Sequence, residues 1–269
     1  MRSPSDDKSL KMNPFKQKLL RGQPQFGLFA MSLTAQTADA LAPSGFDFLM
    51  FDAEHTPTAL PILYSQVLAL APSRTACLVR MPGLDPVPFK PVLDMGIDTV
   101  MVPNVRNAEE AEQAARAVRY PPRGIRGVGG SVRATRFGRD AGYYAQAAED
   151  VCLLLQIESA EGLANIEAIA GVDGVDGLFI GPVDLATDLG HLAQPTHPAV
   201  VQACLDGVRR IRATGKAAGI LASEPQAQAY LDAGATMVCL GSDLGLLTKA
   251  ADALATRWVQ HNASQEEAC

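Results

Sequence analysis

Two apolar stretches of the chain each end on a carboxylate: Val151-Cys-Leu-Leu-Leu-Gln-Ile-Glu158 and Gly177-Leu-Phe-Ile-Gly-Pro-Val-Asp184. Both have the length and composition of buried β-strands, and the segment 160–171 between them has a helical pattern. In a protein that alternates strands with helices, this spacing brings Glu158 and Asp184 to the same end of adjacent parallel strands. Two carboxylates that converge there need a cation or a proton to relieve their repulsion.

The same alternation continues along the whole chain and predicts eight strands with eight helices between and after them. The predicted strands are 26–33, 48–53, 76–81, 98–103, 151–157, 176–181, 217–222 and 236–241. The predicted helices are 37–42, 59–71, 86–95, 107–119, 160–171, 199–214, 224–234 and 244–260. This pattern in about 250 residues is typical of a (β/α)₈ TIM barrel. A doubly wound sheet is the competing architecture, but it needs a glycine-rich turn after the first strand, and the sequence has none there.

Composition limits the class of protein. The 269 residues are 48% hydrophobic with a net charge of −6, and no block of basic residues suggests nucleic acid as a partner. No apolar run approaches the roughly 20 residues that span a bilayer, and residues 1–18 lack the apolar segment of a signal peptide. We therefore expect a cytoplasmic protein with a polar extension and leading helix over 1–23, a single barrel over 24–260 and a disordered tail over 261–269.

Catalytic groups of a barrel lie at the carboxyl ends of its strands, where this sequence offers further polar residues. The second predicted strand ends at Asp52, three residues before His55, which suggests an imidazole with an orienting carboxylate. Asp52 could instead cap a helix, and His55 could be merely exposed. Arg80 ends the third strand and could pair with Asp85 instead of serving the site.

The chemistry of the site follows from its ligand types. Glu158 and Asp184 supply only oxygen atoms, which suit Mg²⁺ or Mn²⁺, with Co²⁺ as an alternative. Asp184 alone could equally well cap a short helix over 185–189. No lysine lies in a predicted strand or at its carboxyl end, so we expect no Schiff-base lysine. A substrate carbonyl would then be activated by the metal.

Four motifs resemble those of the HpcH/HpaI aldolase family. They are Phe46-Asp-Phe-Leu-Met-Phe-Asp-Ala-Glu-His55, Tyr120-Pro-Pro-Arg-Gly-Ile-Arg-Gly-Val-Gly129, Gln156-Ile-Glu158 and Gly174-Val-Asp-Gly-Leu-Phe-Ile-Gly-Pro-Val-Asp-Leu185. The resemblance extends over about 24–257 and implies a class II pyruvate aldolase on a phosphoenolpyruvate/pyruvate-type barrel. It also implies a homo-oligomer, a hexamer built as a trimer of dimers, whose C-terminal helix is swapped between subunits.

The resemblance further implies a role for each matched residue. Glu158 and Asp184 correspond to the metal ligands, His55 and Asp52 to the base and its orienting partner, and Arg80 to the arginine that faces the pyruvyl oxygen. Gln156 would lie beside the metal and Phe29 would line the pocket. The turn formed by Gly181, Pro182 and Val183 would present backbone N–H groups to the substrate carboxylate. We place Glu54 outside the groups that touch the substrate.

The predicted reaction is reversible cleavage of a 4-hydroxy-2-oxo acid, of the 2-dehydro-3-deoxyglucarate or 4-hydroxy-2-oxoheptanedioate type, to pyruvate and an aldehyde. An oxaloacetate decarboxylase or a related carbon–carbon lyase would use the same enolate. A catalytically idle 2-oxo-acid-binding protein is the alternative outside the enzymes. The arginine-rich segment 123–139 is either a functional loop or a solvated basic loop on an acidic protein.

Overall fold

Eight parallel strands form a closed barrel in the computed structural model, which describes residues 13–260. The strands are β1 Gln25–Ala30, β2 Phe48–Asp52, β3 Ala76–Arg80, β4 Thr99–Val102, β5 Cys152–Ile157, β6 Gly177–Ile180, β7 Ala217–Leu221 and β8 Met237–Ser242. Each strand pairs with its neighbours in sequence, and β8 closes the barrel on β1. The predicted (β/α)₈ architecture is confirmed.

Helices surround the barrel and lead from each strand to the next. They are α1 Pro14–Leu20, α2 Ala35–Leu41, α3 Leu60–Leu70, α4 Phe89–Asp94, α5 Ala108–Ala117, α6 Tyr143–Asp150, α7 Ala160–Ala164, α8 Ile166–Ala170, α9 Pro182–Asp188, α10 Pro198–Ala213, α11 Glu224–Asp232 and α12 Asp243–Ala255. The sequence pattern does not predict α6, which buries only Ala147 and so lacks an apolar stripe. Helix α9 begins at Pro182, whose fixed φ suits a first helical turn, rather than at 185.

Apolar side chains fill two separate layers. One layer fills the inside of the barrel with Phe48, Met50, Leu78, Leu154 and Phe179, and the other lies between the sheet and the helices. Alternation along each strand separates the two layers, because successive side chains point to opposite faces.

The amino end of the barrel is covered by α1. Phe15 of α1 packs edge-on against Phe48 with the ring centroids 5.7 Å apart. Lys16 donates to the backbone oxygen of Val151 at 2.7 Å and pairs with Asp176 at 3.1 Å. This cover leaves the carboxyl end of the strands as the open mouth of the barrel.

Helix α12 leaves most of its apolar side chains exposed. Its leucines are exposed, with Leu247 at 64% and Leu254 at 52%, and the same apolar surface continues to Trp258. Residues 1–12 and 261–269, which hold most of the predicted extension and the whole predicted tail, lie outside the described residues. Within residues 13–260, no helix is both long enough and apolar enough to cross a membrane.

Candidate active site

The polar residues at the mouth follow from the alternation that builds the core. Phe48 and Met50 of β2 point into the barrel, and the next inward position is Asp52. In β3 the position after Leu78 is Arg80, and in β5 the position after Leu154 is Gln156. Glu158 continues the same face one step beyond β5. β2, β3 and β5 therefore carry apolar side chains inside the barrel and charged or amide side chains at its mouth.

Asp52 and Arg80 form a buried, bidentate pair. Arg80 donates from Nε to Oδ1 at 2.9 Å and from Nη2 to Oδ2 at 2.7 Å. Burial would raise the pKa of Asp52, but the hydrogen bonds and the charge of Arg80 outweigh it and hold that pKa below its ordinary value. The guanidinium also lies 4.6 Å from the centre of the Phe29 ring. The alternative pairing of Arg80 with Asp85 is not formed.

His55 lies near Glu54 and contacts Asp52 only through its backbone. The backbone N–H groups of Glu54 and His55 both donate to Asp52 Oδ1, at 3.0 and 3.3 Å. The imidazole Nε2 is 3.7 Å from Glu54 Oε2, and that same oxygen is 3.2 Å from Nη1 of Arg80. The side chains of Asp52 and His55 are therefore not hydrogen-bonded to each other, and the Glu54 oxygen is itself beyond hydrogen-bond distance of the imidazole.

Glu158 is a buried carboxylate held by two donors. The backbone N–H of Asn104 donates to Oε1 at 2.8 Å, and Gln156 Nε2 donates to Oε2. Burial raises the pKa of Glu158 to about 7, and the charges of Glu54 and Asp184 add to this effect. The hydrogen bond from Asn104 and the charge of Arg80 act in the opposite direction but do not outweigh burial and the neighbouring carboxylates.

Asn104 is a site residue that sequence reasoning missed. Its φ is +51°, in the left-handed region that Asn tolerates better than most residues other than glycine. This conformation directs its N–H at Glu158. The available signal was an Asn directly after Pro103, at the carboxyl end of a predicted strand.

The turn from β6 into α9 is tightly packed against Glu158. A Cβ on Gly181 would collide with Glu158 Oε2 and with Gln156 Nε2, so any other residue there would have to displace these two side chains. The N–H of Gly181 donates to Ile157 O at 3.0 Å, and Pro182 has no N–H. The backbone donors that this first helical turn leaves for a ligand therefore belong to Val183 and Asp184.

Two adjoining cavities occupy the mouth. A cavity of about 400 Å³ is lined mainly by apolar residues, including Phe29 and Phe179, together with Arg80 and Gln156. A second cavity of about 300 Å³ contains Glu54, Glu158 and Asn104. His55 and Asp184 line both cavities. All of the predicted site residues except Asp52 therefore line one or both of these cavities.

The residues present suit a hard cation. Glu158 and Asp184 offer carboxylate oxygens, and the pKa of Glu158 is raised by its burial and, to a smaller extent, by the nearby charges of Glu54 and Asp184, which a cation would balance. Among residues 13–260, no three His, Cys, Asp or Glu side chains converge as a ready-made metal cluster. Two protein ligands leave coordination positions for water and for a chelating substrate.

Comparison with known proteins finds relatives over nearly the whole chain. A sequence model of the HpcH/HpaI aldolase/citrate lyase family matches residues 25–250. A 4-hydroxy-2-oxo-heptane-1,7-dioate aldolase of Klebsiella pneumoniae is 48% identical over 254 residues, which are 94% of this chain and 96% of the relative. A pyruvate aldolase of Rhizobium etli is 46% identical over 250 residues, 93% of this chain and 98% of the relative.

A solved structure has the same fold over nearly the full length. It is an HpcH/HpaI aldolase/citrate lyase family protein from Burkholderia cenocepacia, with a TM-score of 0.86 and 35% sequence identity. The match covers 96% of this chain and 100% of that one.

Proposed function

The chain belongs to the HpcH/HpaI aldolase/citrate lyase family, and from this membership we propose that it is a class II pyruvate aldolase. The proposed reaction is reversible cleavage of a 4-hydroxy-2-oxo acid to pyruvate and an aldehyde. The names of the relatives favour 4-hydroxy-2-oxoheptanedioate as the substrate, and 2-dehydro-3-deoxyglucarate is the alternative of the same type.

One observation carries the proposal: buried Glu158 shares the barrel mouth with Asp184 and with the Asp52–Arg80 pair. A buried carboxylate with a pKa near 7 next to further carboxylates is poised to bind a cation. The described lysines lie elsewhere; Lys16 binds Asp176 beneath the barrel, and Lys216 donates to Val175 O at the amino end of β7. This distribution supports carbonyl activation by a cation.

Glu158 and Asp184 would hold Mg²⁺, Mn²⁺ or Co²⁺. The bound ion would supply a Lewis acid that polarises the 2-oxo group and offsets the negative charge of the enolate. Gln156 donates to Glu158 and fixes the direction in which that carboxylate points. Because Gly181 has no side chain, the backbone at the start of α9 lies close to Glu158. A small substrate could therefore contact both this backbone and a cation at Glu158.

The other residues bind the substrate and move its proton. The free N–H groups of Val183 and Asp184 would receive the substrate carboxylate, and Arg80 would face the 2-oxo oxygen. His55 would accept the proton of the C4 hydroxyl as the C3–C4 bond breaks. General-base assistance of this kind contributes typically about 10²–10⁴-fold to the rate.

The test is cleavage of 4-hydroxy-2-oxoheptanedioate and of 2-dehydro-3-deoxyglucarate, followed by pyruvate release. We expect cleavage with Mg²⁺, Mn²⁺ or Co²⁺, and its loss after EDTA treatment or in Glu158→Ala. Full activity of the metal-free enzyme would overturn the proposal. Borohydride added with pyruvate should leave the protein mass unchanged, and a covalent adduct would contradict activation without a lysine.

We also propose that the exposed face of α12 packs on another copy of the chain in a hexamer. Leu244, Leu246 and Leu247 line a groove between α12 and α2 that this subunit leaves open. A surface of this kind is typical of an interface. Leu247→Glu should reduce the assembled mass in light scattering. Leu192→Glu, which changes an exposed leucine in the loop between α9 and α10, should not. Equal masses for both variants would contradict the interface.

A further inference from the structure

We propose that a cavity at the amino end of the barrel binds a small zwitterion, an α-amino acid with an apolar side chain. This amino-end cavity lies between α1 and the loops that lead into β2, β3 and β4. Active sites of (β/α)₈ barrels lie at the other end of the strands, so the occupant would be a bound ligand and not a substrate. The inference does not depend on the proposed function.

The amino-end cavity has the size of a small-molecule site. Its volume is about 300 Å³, at the lower end of the roughly 300–1,000 Å³ of ligand pockets. Asn13 of α1 lines one side, and Asp47, Thr75 and Asp98, which directly precede β2, β3 and β4, line the others. A ligand of the size of an amino acid therefore fits between α1 and the barrel.

Asp98 offers this cavity a carboxylate that lacks a cationic partner. Its only hydrogen bond from another described residue comes from Thr99 Oγ1 at 3.3 Å, and it forms no ion pair with the described lysines and arginines. Burial raises the pKa of Asp98 to about 6, and the charge of Asp150 adds to this effect. An ammonium group bound here would offset the cost of keeping the carboxylate charged.

Two arginines line the same cavity and retain free donors. Arg74 makes no ion pair and no side-chain hydrogen bond with the described residues. Arg133 donates from Nη1 to Met95 O at 2.9 Å, and its other nitrogens have no described acceptor. Neither arginine pairs with Asp98, although opposite charges attract each other. The cavity thus keeps a carboxylate and two guanidinium groups apart, and one zwitterion would pair with both signs of charge.

The rest of the lining indicates the side chain of the ligand. Lys18 and Asp47 pair with each other at 2.9 Å, so they leave no unbalanced charge. Phe15, Val67 and Leu70 supply an apolar part of the wall. Burial of an apolar ligand side chain against these residues is favourable. An amino acid such as L-leucine therefore matches the cavity better than one with a charged side chain.

The first experiment measures binding by isothermal titration calorimetry with three probes of nearly equal size. L-leucine carries both charges, isoamylamine lacks the carboxylate, and isocaproate lacks the ammonium group. We expect a Kd below about 1 mM for L-leucine and binding at least about tenfold weaker for the other two. No binding at about 10 mM L-leucine, or equal affinity for all three probes, would overturn the proposal.

Variants assign the charges. Asp98→Asn and Arg74→Met should each weaken L-leucine binding at least about tenfold. Asp206→Asn and Arg209→Met are the matched controls, because this pair lies exposed on α10, and both should bind as the wild type does. Wild-type affinity in both cavity variants would overturn the assignment. If Asp98→Asn does not fold, Arg74→Met decides alone, because Arg74 is exposed and supports no other described residue.

A chemical label locates the bound ligand. Cys77 lines the amino-end cavity and is partly accessible, and burial raises the pKa of its thiol, so its alkylation by N-ethylmaleimide can be followed over time. L-leucine should slow this reaction, whereas pyruvate with Mg²⁺ should neither slow it nor displace L-leucine in calorimetry. An unchanged rate with L-leucine, or its displacement by pyruvate, would contradict binding at the amino end. Loss or absence of aldolase activity would leave these results unaffected.

Thermal melting provides a further readout, because a ligand that binds only the folded state raises its stability. L-leucine at ten times its Kd should raise the melting temperature of the wild type and of both controls. The same concentration should leave the melting temperature of Arg74→Met nearly unchanged. Equal shifts in Arg74→Met and in the wild type would overturn the site.

Discussion

Arg80 lies opposite Asp52 in the register of β3 and β2, and its guanidinium donates to both oxygens of that carboxylate at 2.9 and 2.7 Å. Its third nitrogen lies 3.2 Å from Glu54, and its face covers Phe29. One guanidinium therefore fixes two carboxylates and one wall of the cavity. This arrangement has consequences for stability as well as for activity.

Replacement of Arg80 by Met should be costly to folding. It leaves Asp52 buried without a counter-charge, and loss of one partner of such a pair typically costs about 3–5 kcal/mol. Arg209→Met is the matched control, because Arg209 pairs with Asp206 and both side chains are more than half exposed. That change should cost less than about 1 kcal/mol. Urea denaturation of both variants measures the difference, and equal midpoints would contradict the role of the buried pair.

The backbone of Asn104 should tolerate glycine but not a β-branched residue. Its φ of +51° costs valine about 1–3 kcal/mol, and a shift of the backbone would withdraw the N–H from Glu158. We expect Asn104→Gly to retain most aldolase activity and Asn104→Val to lose at least about tenfold. The two variants are compared by kcat and by thermal melting. Full activity in Asn104→Val would show that this hydrogen bond does not matter.

Gly181 should not tolerate even a methyl group. A Cβ there meets Glu158 Oε2 and Gln156 Nε2, and displacement of Glu158 would weaken cation binding. Gly130→Ala is the control, because a Cβ on Gly130 meets no atom within 4 Å. Titration with Mn²⁺ should show weaker binding in Gly181→Ala only. Equal affinities in both variants would refute the contact.

The pH dependence of the metal-free protein should report Glu158. Its pKa is raised from the ordinary 4.5 to about 7, mainly by burial, so the folded state binds more protons than the unfolded state between these values. The free energy of unfolding should therefore fall as the pH rises through this window, by at most about 1.4 kcal/mol per pH unit, and then level off. Burial also raises the pKa of Asp98 to about 6, which adds a fall that both proteins share. Glu158→Gln should therefore lose less stability than the wild type over this window.

Melting temperatures of the wild type and of Glu158→Gln, recorded with EDTA from pH 4.5 to 8, measure this difference. Mg²⁺ should raise the melting temperature of the wild type more at pH 8 than at pH 5, because the proton competes with the ion at low pH. Asp52 does not interfere, because its pKa is lowered and its contribution to stability is lost only at more acid pH. Parallel curves for the two proteins would contradict the raised pKa.

The sequence predicted the barrel and the positions of most polar residues at its mouth, because both follow from strand alternation. β2 and β3 repeat apolar inward residues every second position, so Asp52 and Arg80 had to lie at the same end. The partners within the mouth could not be predicted in the same way. They depend on side-chain directions in the bend after β2, where Asp52 accepts from Arg80 and from the backbone N–H groups of Glu54 and His55.

Long-range contacts explain the other differences. Asn104 and Glu158 are 54 residues apart, and only the closed barrel brings the loop after β4 to the end of β5. Which backbone N–H groups are free in the turn after β6 depends on Pro182, which has none, and on the hydrogen bond from Gly181 N–H to Ile157 O. The sequence motif does not reveal this hydrogen bond. The predicted hexamer depends on subunits that a single chain does not contain, so it stays a prediction.

The most direct test of the central claim is exchange of the pyruvate methyl hydrogens with D₂O, followed by mass spectrometry without any aldehyde. The account predicts exchange with Mg²⁺, Mn²⁺ or Co²⁺ and its loss after chelation or in Glu158→Ala, because enolate formation needs a cation at the carboxylate pair. Exchange at an undiminished rate in the metal-free protein, or no exchange with any of the three ions, would contradict it.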